Sequence, residues 1–96
     1  MRLARVVGQV VSTAKVPQLE GTTILVVEDI DTATVGENKR QYAAVDLVGA
    51  GREEVVLVVS GGAARVDQAT SGAPIDQAIV AIADTIVTHG EVTYSK

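Results

Sequence analysis

Hydrophobic and polar positions alternate from Arg2 to Ser12, with Ala4, Val6, Gly8 and Val10 on one face and Leu3, Arg5, Val7, Gln9 and Val11 on the other. A period of two sets the first group against a core and leaves the second mixed, which predicts a strand. After a loop holding Lys15, Pro17 and Gly21, the run from Thr23 to Val27 is apolar on both faces until Glu28 and Asp29 end it. Such a run predicts a central strand. Asp31 to Arg40 is polar and carries the turn formers Gly36 and Asn38, so it predicts a long, mobile hairpin loop that tolerates insertion and leads into a strand from Gln41 to Val45. Gly49-Ala50-Gly51 then predicts a tight turn. Val55 to Val59 follows as an aliphatic, β-branched window flanked by Glu53, Glu54 and Gly61-Gly62. Left exposed it is an aggregation hazard, and the flanking charges act as gatekeepers, so the strand must be buried in the folded chain.

The helical candidate is Ala63 to Ala69, opened by Gly61-Gly62 and stopped by Ser71-Gly72, with Pro74 beyond. Two turns do not stand alone in water and must dock on the sheet. Ala78 to Thr88 returns to strand, with Ile79, Ala81 and Ala83 on one face, Val80, Ile82 and Ile86 on the other, and Asp84 interrupting. A turn at Gly90 leads into a last strand, Glu91 to Ser95. Five or six short strands, one small helix between the late ones and no internal repeat predict an all-β fold, a small closed barrel of the OB type.

Composition strengthens this and adds one expectation. Val, Ile and Thr fill 33 of the 96 positions, the residue class that packs on pleated sheets. The aromatics are Tyr42 and Tyr94 alone, so the core must be built from Val, Ile, Leu and Ala. A chain of 96 residues makes one domain, 1–96. At this size it buries only about 60 to 70% of its unfolded surface. An aliphatic surplus on so small a body predicts an oligomer. No apolar run approaches the ~18 residues of a membrane span, and Arg2 and Arg5 break any signal-like run at the start. With no Cys in the chain, a cytoplasmic placement is the expectation. Eight basic against twelve acidic residues give a net charge of −4, the wrong sign for nucleic acid or an anionic membrane.

Candidate chemistry is sparse. His89 lies between Thr88 and Gly90, and with Ser60 and carboxylates such as Asp46 and Asp84 it is all that a catalytic reading can recruit. It has no partner at a useful spacing, so a solvated turn histidine is the better reading. The absence of Cys and of a second His removes zinc-type ligand sets. Glu28, Asp29 and Asp31 lack the glycine and terminal glutamate of a calcium loop and read as a solvated strand end. Gly49-Ala50-Gly51 and Gly61-Gly62 lack the rest of a nucleotide fingerprint and read as turns. Gly61-Gly62 with Arg65 leaves a weak alternative, an anion at a helix start. No enzyme, cofactor or metal is expected, and an oligonucleotide-binding OB module lacks its stacking aromatics and basic groove.

Three segments taken together resemble a known family. They are Arg2 to Thr13 with Lys15; Ala44-Val45-Asp46-Leu47-Val48-Gly49-Ala50-Gly51 leading through Glu54 to Val55-Val56-Leu57-Val58; and Gly61-Gly62-Ala63-Ala64-Arg65 followed by Pro74-Ile75-Asp76 and Val80 to Asp84. In order and spacing they are similar to the EutN/CcmL family of bacterial microcompartment vertex proteins. The chain departs from the family pattern at Glu53, where a second glycine is usual, and at Gly62 and Ala63, where serines are. The resemblance implies a five-stranded OB-like barrel with one short helix, assembled as a cyclic homopentamer. It also implies a structural role at the corners of a cytoplasmic shell, beside hexameric shell proteins. A small ligand- or nucleic-acid-binding OB module is the alternative. Contacts between subunits or with the shell are expected from Arg65, Asp46, Gly49, Gly51, Asp76 and Asp84. Of these, Arg65 is expected to reach a neighbouring subunit or one of the three carboxylates, and a solvated Arg65 is the alternative.

Overall fold

A computed structural model of the chain describes residues 1–30, 40–66 and 75–96. The strands are β1 (Arg2–Val10), β2 (Thr23–Asp29), β3 (Gln41–Asp46), β4 (Val55–Ser60), β5 (Gln77–Ile82), β6 (Thr85–Thr88) and β7 (Glu91–Ser95), with short 3-10 helices at Pro17–Leu19 and Gly61–Arg65. β1 to β5 close a barrel in the order β1-β2-β3-β5-β4, whereas β6 and β7 form a separate two-stranded sheet. All neighbours are antiparallel except β3 and β5, whose parallel seam rests on two register pairs, Val45 with Ala78 and Asp46 with Ile79. Closure removes the free strand edges that a sheet this rich in valine would otherwise expose.

Two aliphatic clusters hold the barrel. The inner one gathers Ala4, Val6, Leu25, Val27, Ala44, Val56, Val58 and Ile79, with Tyr42 packed against it. The outer one gathers Val45, Val59, Ala64, Ile75 and Ala78 beneath the second 3-10 helix. β4 therefore feeds both clusters, Val56 and Val58 inward and Val59 outward, and this is why it is apolar from Val55 to Val59. The predicted burial of this strand holds. β2, paired to β1 on one side and β3 on the other, is the central strand that its two apolar faces imply.

Three local expectations are corrected. In β1 the alternation holds at Ala4 and Val6 and fails beyond them, leaving Val10 exposed. The register slips between Val6 and Gly8 against β2, and a bulge shifts side-chain parity by one. The predicted strand from Ala78 to Thr88 is two strands: the chain leaves the barrel after Ile82 and pairs with β7 from Thr85. Asp84, the residue that interrupts the apolar pattern, marks the joint. The expected helix over Ala63 to Ala69 begins earlier, as a 3-10 helix from Gly61 to Arg65, and residues 67–69 lie outside the described residues. Gly61 enters with φ +59, and Ser60 donates its hydroxyl to Gln77 at 2.9 Å instead of capping. An uncapped start on two glycines favours a short, tight turn. Of the loop predicted from Asp31 to Arg40, residues 31–39 lie outside the described residues; the Arg40 carbonyl accepts the Asp29 N–H at 2.9 Å.

Candidate functional site

The six predicted contact residues fall in three places. Asp46, Gly49 and Gly51 share the turn between β3 and β4. One carboxylate oxygen of Asp46 accepts the N–H groups of Val48 and Gly49, both at 3.1 Å, and the other accepts that of Ala50 at 2.9 Å. A carboxylate holding successive amides fixes an Asx-type turn, and Gly49 at φ +77 supplies the left-handed residue the turn needs. Gly51 has no positive φ, yet a Cβ there would meet a Glu54 carboxylate oxygen at 3.0 Å, because the Gly51 N–H donates to that oxygen. The other Glu54 oxygen forms an ion pair with Lys96. The Lys96 ammonium, and next the Gly51 N–H, hold the Glu54 carboxyl below the usual carboxylate range; Glu54 in turn raises Lys96.

Arg65 and Asp76 meet at the second 3-10 helix. The Arg65 guanidinium donates to the Ile75 carbonyl at 2.8 Å, and the Asp76 carbonyl accepts the Gly61 N–H at 2.8 Å. Within the chain, then, Arg65 staples the 3-10 helix to the entry of β5 through a carbonyl. The ion pairs among the described residues are Arg2–Asp29 and Lys96–Glu54. Asp84 stands alone at the joint between barrel and hairpin, where its carbonyl accepts the Lys96 N–H at 2.8 Å.

One cluster has no counterpart in the sequence reading. The Tyr42 hydroxyl donates to Asp29 at 2.8 Å, and Arg2 lies 3.5 Å from the other Asp29 oxygen. The guanidiniums of Arg2 and Arg40 stand 5.7 and 5.0 Å from the Tyr42 ring centroid, within cation–π range. Burial, and then the bond to Asp29, raise the Tyr42 phenol above its ordinary value. Asp29 is therefore a paired strand residue and not a solvated strand end. Three segments far apart in the chain meet here through strand register, which no local pattern encodes; the available signal was a lone tyrosine in an aliphatic strand. His89, exposed at φ +52 beside Gly90 at φ +77, forms the two-residue turn between β6 and β7. That pair of positive φ angles matches the primed turn of a tight hairpin. Among the described residues no three His, Asp or Glu side chains gather as a metal-ion set, and no helix is long and apolar enough to cross a membrane.

The polar side chains described above hold turns, joints and staples of a small closed five-stranded barrel. Comparison with known proteins makes this specific. The family model described as ethanolamine utilisation protein EutN/carboxysome matches residues 1–84. The carboxysome shell vertex protein CcmL of Synechocystis sp. is 42% identical, covering 100% of this chain and 95% of its own. The bacterial microcompartment shell vertex protein EutN of Escherichia coli is 39% identical, with 100% of both chains covered. The solved structure of the GrpN pentameric microcompartment shell protein from Rhodospirillum rubrum superposes with a TM-score of 0.80 at 41% identity, over 92% of this chain and 99% of the other. The chain belongs to the EutN/CcmL family.

Proposed function

We propose that the chain is a structural, non-enzymatic shell protein, and that five copies form a ring that caps the vertices of a polyhedral bacterial microcompartment. The observation that carries the reading is similarity along the whole chain to shell vertex proteins, on a closed barrel of the same fold. Geometry supplies the rest. A shell tiled by six-fold units closes only with five-fold corners, and a ring of identical subunits uses heterologous contacts that close when the rotation per subunit is right. The aliphatic surplus is consistent with a ring, since Val11, Val66, Val87 and Val92 are all well exposed on the single chain.

In this reading the whole stretch 1–96 acts as one barrel domain with its hairpin, and the ring works in the cytoplasm beside hexameric shell proteins. Several weak edges engaging together suffice to hold a corner in place. A net charge of −4 speaks against nucleic acid and anionic membrane as partners. Asp46, Gly49, Gly51, Arg65, Asp76 and Asp84 stay as the candidate contacts of that ring and its surroundings. Light scattering at micromolar protomer is the direct test, with a mass five times the 9.9 kDa chain expected. Monomer alone across that range would refute the ring. In cells, deletion is expected to give elongated or leaky compartments whose enzymes stay active. Regular sealed shells without this protein or a relative would refute the vertex role.

A further inference from the structure

The barrel is two bodies joined twice. β1, β2 and β3 follow one another in the chain and pair in that order, and β4 pairs with β5. The joins between the two bodies are β1 against β4 and β3 against β5. They are unequal. β1 and β4 pair antiparallel from Arg2–Val58 to Arg5–Val55, and two further bonds extend the ladder: the Val6 N–H donates to the Glu54 carbonyl at 3.0 Å, and the Glu53 N–H to the Val6 carbonyl at 2.9 Å. β3 and β5 share two parallel pairs, extended by the bond from the Leu47 N–H to the Ile79 carbonyl at 3.2 Å. Parallel pairing is also the slightly weaker kind per residue.

Packing adds to the difference. The inner cluster takes side chains from both bodies and serves both joins. The outer cluster crosses only the β3–β5 join, where Val45 of β3 meets Val59, Ala64, Ile75 and Ala78 of the other body. Beside that contact lies an open hollow of about 130 Å³, with Leu19, Ile24, Ala43 and Ala44 on the β2–β3 side and Ile75 across from them. Atoms lining a gap lack partners on one side and forfeit dispersion contacts. We infer that the barrel opens along β3–β5 before it unfolds as a whole, hinged on the β1–β4 ladder, and that Arg65 is the latch on this opening. Its guanidinium holds the Ile75 carbonyl at 2.8 Å, and Ile75 with Ala64 is what the other body presses against Val45. Sub-global openings arise where ladder bonds and apolar contacts are fewest. Closed, the latch keeps the edges of β3 and β5 from pairing with other chains. The opening belongs to each barrel and does not depend on the pentamer reading.

Native-state hydrogen exchange at one fixed protomer concentration, read amide by amide in low denaturant, tests this. The Leu47 amide reports the β3–β5 join and the Val6 amide the β1–β4 join. Corrected for intrinsic rates, Leu47 is expected to exchange on the order of tenfold faster than Val6, with a smaller denaturant dependence because less surface is exposed. Arg65→Ala is expected to speed Leu47 about fivefold. Ile75→Val trims one methyl from the cross-seam cluster, keeps the fold, and is expected to speed Leu47 about threefold. Glu53, at φ +70 in the hinge turn, is strained whether the seam is open or closed. Glu53→Gly is therefore expected to slow Val6 about threefold and to leave Leu47 unchanged. Equal rates and equal denaturant dependence at Leu47 and Val6 overturn the opening, as does a Leu47 amide that slows together with Val6 in Glu53→Gly. A Leu47 amide indifferent to Arg65→Ala in the folded protein, or to Ile75→Val, overturns the latch.

Discussion

Replacing Glu53 with glycine should stabilise the protein. Glu53 holds φ +70, in the left-handed region that favours glycine. A residue with a Cβ costs roughly 1–2 kcal/mol there through its clash with the neighbouring carbonyl. The backbone cannot relax to escape it. The Glu53 N–H donates to the Val6 carbonyl at 2.9 Å, and the Val6 N–H donates to the Glu54 carbonyl at 3.0 Å, so the turn is locked against β1 on both sides. Glycine relieves the clash, while its extra freedom in the unfolded chain returns roughly 0.5–1 kcal/mol. The net expectation is a gain of about 0.5–1 kcal/mol. For a domain of this size that corresponds to a rise in Tm of about 2–8 °C.

The assay is thermal or urea unfolding at one fixed protomer concentration, because assembly makes apparent stability concentration-dependent. Glu53→Ala is the control. It removes the same acidic head group and keeps the Cβ, so it should stay near the parent, and Glu53→Asn should fall between because asparagine tolerates the left-handed region. If alanine matches glycine, relief of acidic repulsion explains the gain and the strain argument is wrong. A glycine variant less stable than the parent refutes it as well.

Three further outcomes follow from the same geometry. Asp46→Ala removes the acceptor for three turn amides; as two of them are exposed and water replaces the lost bonds there, a loss of about 1–2 kcal/mol is expected, with faster hydrogen exchange at Val48 to Ala50 as the check. Arg65→Ala removes the bond to Ile75 and should lower stability by about 1 kcal/mol in urea unfolding, an unchanged midpoint ruling out the staple. The Glu54–Lys96 pair makes stability depend on pH in a stated direction. Glu54 is depressed in the folded state, so its contribution is present above the ordinary carboxylate value of 4.5 and is lost as pH falls through the lowered one; Lys96 is raised, so its share is lost only as pH climbs past 10.5. Tm profiles of the parent and of Glu54→Gln should therefore converge in acid and differ near neutrality, and parallel profiles across that range would refute the linkage.

Much of the barrel was legible because aliphatic run length reports how many faces of a strand are covered. β2 and β4 are apolar on both faces, and each packs in the way that implies. What was hidden is register. The bulge at Val7 turns Val10 outward, and its one local mark is Gly8, since valine suits either face of a strand. The break after Ile82 was marked, but by a single charged residue in a strand pattern, which is equally compatible with an exposed position on a continuous strand. The Tyr42 cluster depends on β1, β2 and β3 lying side by side, so Arg2, Asp29 and Tyr42 become neighbours only once these three strands pair in register. Glu53 shows the opposite case. Its departure from the family pattern pointed to a specific backbone position, and that position is strained.

The seam between β3 and β5 shows why the polar candidates cluster where they do. Two register pairs and one bond from the Leu47 N–H to the Ile79 carbonyl, at 3.2 Å, join these strands, and parallel pairing is slightly weaker per residue than antiparallel. A seam this short needs support from outside the ladder. Val45 and Ala78, one of the two pairs, belong to the outer cluster with Ala64 and Ile75, so the second 3-10 helix lies over the seam as a buttress. Arg65 fastens that buttress to Ile75, and the Gly61 N–H fastens it to Asp76. Asp46, in the other register pair, holds the following turn in place and keeps β3 from fraying away from β5. Arg65, Asp76 and Asp46 thus act on one weak line in the barrel wall.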